Sequence, residues 1–65
     1  MAESDARAIA GILGGEVWNS GGDIYLVVLE RADGRVVAIS DDVVCEYANR
    51  DELETGQPSS SIALV

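Results

Sequence analysis

The chain has 65 residues, with twelve acids against four bases and a formal net charge of −8, a length that accommodates a single domain over residues 1–65 and excludes two. Its hydrophobic content of 48% is too high for a disordered acidic tail, so the chain is expected to fold despite its charge. All four bases are Arg (Arg7, Arg31, Arg35, Arg50) and His is absent, as is Lys, which removes the commonest general bases, zinc ligands and Schiff-base nucleophiles and with them most enzyme classes.

The segment Glu3 to Leu13 reads as a helix, because Ala6, Ile9 and Leu13 fall at i, i+3 and i+7, flanked by Ala2 and Ala10. Ser4 is its expected N-cap, with Glu3 and Asp5 near the positive end of the dipole. Gly14-Gly15 supplies the stop. Glu16-Val17-Trp18 follows as a short strand, ended by the turn residues Asn19-Ser20-Gly21-Gly22. Asp23 to Arg31 is the strongest strand signal, a run of β-formers expected at the centre of a sheet. Trp18 and Tyr25 are placed to interact across this first hairpin.

Asp33-Gly34 between two apolar runs is a hairpin signal that returns Arg35 to Ser40 antiparallel. If these two residues form the whole loop, Ala32 opposes Arg35, Glu30 opposes Val37, Leu29 opposes Ala38 and Val28 opposes Ile39. One face then carries Ile24, Leu26, Val28, Val37 and Ile39, and the other Tyr25, Val27, Leu29, Val36 and Ala38. Both faces are apolar and the amino-terminal helix covers one. The second face therefore needs another cover, either the carboxyl-terminal elements or another molecule, a second copy in a homodimer included.

Val43 to Tyr47 has strand composition and either continues the meander or forms its edge. Asn49 and Glu52 are spaced as a capping box that opens a short helix, closed by Gly56. After the loop Gln57-Pro58-Ser59-Ser60, the apolar end Ile62-Ala63-Leu64-Val65 reads as a last strand, pairing within the sheet or with a second molecule. The expected fold is α+β: an amino-terminal helix packed on a small antiparallel sheet of three to five strands, with a short helix before the last strand.

The lone Cys45 can form no intramolecular bridge, which points to a reducing compartment, and it is read as a small buried hydrophobe. Met1-Ala2-Glu3-Ser4-Asp5 has acids where a secretory signal is basic, and no apolar run approaches about 18 residues. A cytoplasmic protein without a membrane span is expected. Asp41-Asp42 is the nearest approach to a metal site, but adjacent strand residues face opposite ways and two acids supply too few oxygens for calcium. Gly14-Gly15 and Gly21-Gly22 match no phosphate-binding spacing. No catalytic residue, metal site or cofactor site is assigned, and the chain is expected not to be an enzyme.

The acids are the unusual feature. Asp41, Asp42, Glu46, Asp51, Glu52 and Glu54 lie within residues 41 to 54, where Arg50 is the only base. Such a surface repels nucleic-acid phosphates and anionic lipid and attracts cationic partners. These six residues are the candidate partner-binding set, expected on one ledge that imitates the phosphates of a duplex in a basic groove.

The small size, the absence of Lys, the strong acidity, the helix-plus-meander layout, Gly21-Gly22-Asp23, Asp33-Gly34-Arg35 and the acidic stretch from Asp41 together resemble the small anti-CRISPR proteins of bacteriophages, particularly those acting on type I surveillance complexes. The resemblance is one of kind, spans the whole chain and carries over no residue position by position. It implies an inhibitor without enzymatic activity, working in the host bacterial cytoplasm and occupying the basic site where a Cas subunit contacts target DNA. The alternative is a small structural or accessory subunit, an antitoxin-like partner, whose acidity serves solubility only.

Overall fold

The computed structural model describes residues 1–64 and is an α+β fold. Helix α1 (Glu3–Leu13) precedes strands β1 (Glu16–Gly21), β2 (Ile24–Glu30), β3 (Val36–Ile39) and β4 (Val43–Tyr47); helix α2 (Arg50–Thr55) then precedes β5 (Ser60–Ala63). The five strands form one antiparallel sheet in chain order. β3 is thus the middle strand, and β2, expected at the centre, is interior with a neighbour on each side. β4 continues the meander, and β5 pairs with it rather than standing apart. Val65, the last residue of the expected terminal strand, lies outside the described residues.

α1 has the bounds its periodicity suggests, Glu3–Leu13, but not the expected Ser4 cap. Its cap is Ala2, which makes no side-chain capping bond, and Ser4 lies inside the first turn. The start is fixed instead by the amino terminus, since the Met1 ammonium donates to the Tyr25 carbonyl at 2.8 Å and the Tyr25 N–H donates back to the Met1 carbonyl at 3.0 Å. Gly14 ends the helix in the left-handed region at φ 76°, a conformation that glycine enters without a Cβ penalty. Ala6 and Ala10 are buried against Val27, with Met1, Ile9, Val17, Tyr25, Leu29 and Ile39 around them. Leu13, counted in the apolar stripe, is instead half exposed, and Ile12 is more so.

Gly15 is a site of close approach: a Cβ there would stand 2.6 Å from a Leu29 methyl and 2.8 Å from the Val28 carbonyl oxygen. Small side chains at Ala6 and Ala10, followed by this glycine, bring the helix end down onto β2.

The first hairpin is longer than expected. β1 runs through Asn19 and Ser20 to Gly21, with a register irregularity between Asn19 and Gly21, and Gly22-Asp23 is the loop. The Asn19 Oδ1 accepts from the Gly21 N–H at 2.7 Å, and its Nδ2 donates to the Gly22 carbonyl at 3.1 Å. Trp18 is opposite Leu26 and Asn19 opposite Tyr25, so Trp18 and Tyr25 point to opposite faces and do not form the expected cross-strand pair.

The β2–β3 register is one residue away from the one the two-residue loop implied: Glu30 opposes Val36, Leu29 opposes Val37, Val28 opposes Ala38 and Val27 opposes Ile39. The Gly34 N–H donates to the Arg31 carbonyl at 3.0 Å and the Arg31 N–H to the Arg35 carbonyl at 2.7 Å, with Gly34 at φ 88°. Ala32-Asp33-Gly34 is therefore a three-residue loop with glycine at the left-handed bulge position. A one-residue slip exchanges faces. Val37 and Ile39 join Val27 and Leu29 on the α1 face, while Val36 and Ala38 join Val28 on the other.

That second face buries Val28 and Val36, each 1% exposed, and Ala38. α2 lies beside β4 and buries no residue of its own. Its start follows the sequence signal: the Glu52 N–H donates to Asn49 Oδ1 at 2.9 Å, and Gly56 closes the helix at φ 74°.

Candidate functional site

The six candidate acids fall in three places rather than on one ledge. Asp41 and Asp42 are the two loop residues of the β3–β4 hairpin, which is closed by the Ser40 N–H donating to the Val43 carbonyl at 3.0 Å. The Asp41 carboxylate lies 3.2 Å from the Met1 ammonium, and the Ser40 hydroxyl approaches Asp42 Oδ1 at 3.4 Å. Asp51, Glu52 and Glu54 sit on α2, beyond the opposite end of β4. A five-residue strand separates the two groups, about 16 Å at the usual rise.

Glu46 leaves the set altogether. It opposes Val37, which shares a face with Leu29, so its side chain projects on the α1 side of the sheet and away from Tyr47. There it accepts from Arg31 at 2.7 Å through Oε2 and from Arg35 at 2.8 Å through Oε1. With a side chain only 24% exposed, it is the counter-charge of two guanidinium groups and offers little to a partner.

The remaining bases are also occupied. Arg7 pairs with Glu3 one helical turn away at 2.7 Å, a contact that holds its guanidinium firmly charged. Arg50 reaches across the second face to Glu16 at 2.6 Å and Glu30 at 3.3 Å. Its guanidinium lies 5.6 Å from the centre of the Trp18 ring, within the range of cation–π attraction. The Trp18 Nε1–H donates to the same Glu16 carboxylate at 3.1 Å. That hydrogen bond first, and the Arg50 contact second, hold the Glu16 carboxyl below its ordinary range. Burial is the main cause that pushes the Tyr47 hydroxyl above its own.

The pairing divides the acids into two classes. Glu3, Glu16, Glu30, Asp33, Asp41 and Glu46 each stand within ion-pair distance of a cation. Among the described residues, Asp5, Asp23, Asp42, Asp51, Glu52 and Glu54 have no such partner. Four of these lie between residues 42 and 54, three of them on α2. Sequence reasoning located the acidic stretch but missed its division, because the cations that neutralise Glu46 and Glu16 come from residues 31, 35 and 50. The only sequence signal would have been Glu46 lying on a strand whose register with β3 was known.

Cys45 is half-buried and free. Among the described residues no pocket opens, and no three His, Cys, Asp or Glu side chains gather as for a metal ion. Among the described residues no helix is long and apolar enough to cross a membrane. No protein-family model matches the chain, and neither a curated protein nor a solved structure does.

Proposed function

We propose that the protein is a non-enzymatic acidic inhibitor that occupies the basic nucleic-acid-binding site of a target protein, most specifically target-DNA binding by a type I CRISPR surveillance complex. One observation carries the reading: Asp42, Asp51, Glu52 and Glu54 remain without cationic partners among the described residues although every Arg is engaged. A basic groove can therefore pair with them without breaking an internal ion pair. The two groups, about 16 Å apart along β4, would engage a groove at two points, α2 supplying the denser one.

Such a contact would be steered by charge, because an exposed acidic patch raises the rate of encounter with a basic partner and loses that advantage as salt screens it. The test uses purified surveillance complex. Target DNA should compete with the protein, and raising salt should slow association more than it speeds dissociation. Simultaneous binding of protein and DNA without interference would remove the reading.

The second reading, an accessory subunit whose acidity serves solubility only, is favoured by the paired half of the acids, which act within the fold. It expects partner binding to survive neutralisation of the unpaired acids.

A further inference from the structure

The two edges of the sheet differ in how they are guarded. β1 carries Glu16 and the irregularity between Asn19 and Gly21, both of which discourage the addition of another strand. β5, Ser60-Ser61-Ile62-Ala63, carries no charge, pairs with β4 in regular register and is exposed at every residue. Ile62 is 66% exposed and Leu64 is 54% exposed, a costly arrangement for apolar side chains at the end of a highly charged chain.

The backbone of this edge has a defined polarity. The Leu64 N–H donates to the Asp42 carbonyl at 2.8 Å, so by the alternation of an antiparallel ladder the backbone of Ile62 also faces β4. The N–H and C=O groups of Ser61 and Ala63 then face outward. We propose that β5 pairs antiparallel with β5 of a second copy, joining the two sheets into one. With the two-fold axis at Ile62, Ser61 of each copy opposes Ala63 of the other, and each of these pairs exchanges both backbone bonds. Ile62 then meets its symmetry mate at the close, non-hydrogen-bonded position.

Of the two edges, charge leaves this one open to a second copy. Protomers of net charge −8 repel each other over most of their surface, whereas β5 is uncharged. Antiparallel pairing also places the two α2 helices at opposite ends of the joint, because each α2 precedes the start of its own β5. This assembly stands independently of the inhibitor reading.

Sedimentation from micromolar to near-millimolar protein should show a species of twice the chain mass. Its population should rise with salt, the reverse of the salt dependence expected for a basic target. Ser61→Pro removes an outward donor and leaves the bonds to β4 intact, so it should give a monomer with an unchanged far-ultraviolet circular dichroism spectrum. Ile62→Lys, at an exposed position, sets two cations against each other at the axis and should do the same should the proline variant fail to fold. A chain that is monomeric throughout, or a dimer that persists in either folded variant, would overturn the proposal.

Discussion

The two faces of the sheet are closed by opposite means. On one, α1 lays Ala6, Ala10 and Ile9 directly onto β1 and β2, with Val27 fully buried beneath. On the other, Val28 and Val36 are as deeply buried, yet α2 buries nothing of its own and Arg50 spans from α2 to Glu16, Glu30 and the Trp18 ring. Small side chains allow close helix packing on the first face, whereas over the apolar layer of the second an exposed guanidinium gathers two acids and an aromatic ring. Shape fixes α1, while charge adds to the docking of α2 alone, so the two helices should loosen under different conditions.

The largest effect is expected from Val28→Asp. A carboxylate 1% exposed with no partner costs several kcal/mol, comparable to the total stability of about 5 kcal/mol available to a small domain. Denaturant titration should show no cooperative transition, and a variant that still unfolded cooperatively would move that face out of the core. Gly15→Ala should come next. The added methyl would meet the Val28 carbonyl oxygen at 2.8 Å, and backbone yields less readily than a side-chain tip, giving a loss of about 2 kcal/mol in the same assay. Stability equal to the parent would show that α1 docks less tightly than the geometry requires.

Arg50→Met keeps the aliphatic stem and removes the charge. It should leave the global unfolding midpoint nearly unchanged but speed amide exchange in Arg50–Thr55 while leaving β2 protected. Equal exchange in both proteins would mean that α2 is held without the guanidinium. The smallest effect is the pH dependence of the same contact. Glu16 is held below its ordinary value of 4.5 by the Trp18 hydrogen bond and then by Arg50. The folded state therefore binds this proton less readily than the unfolded one. Its contribution is complete above the unfolded value and fades as pH falls through the folded one. α2 should loosen in acid before α1, and Glu16→Gln should flatten that difference.

Most elements were legible because their signals are local: the periodicity of α1, the uninterrupted β-formers of β2, and Asn49, Glu52 and Gly56 around α2. The failures share a different origin. Asp33-Gly34 marked a hairpin, but nothing local distinguished a two-residue loop from three residues with Gly34 at a bulge, and that choice moved Val36, Val37, Ala38 and Ile39 to opposite faces. Ser4 is a good cap by type, yet the backbone bonds of Met1 with Tyr25 set the helix start from far along the chain. The acidic stretch was visible as composition, whereas the neutralisation of Glu46 and Glu16 depends on Arg residues 11 to 34 positions away.

The distinction between paired and unpaired acids is tested most directly by measuring inhibition of target-DNA binding by a type I surveillance complex with two variants. One carries Asp42→Asn, Asp51→Asn, Glu52→Gln and Glu54→Gln; the other carries Glu46→Gln alone. The first is expected to remain folded and lose inhibition, while the second keeps inhibition, its Arg31 and Arg35 left with Asp33 as their one shared acid. Full inhibition by the folded quadruple variant would contradict that distinction.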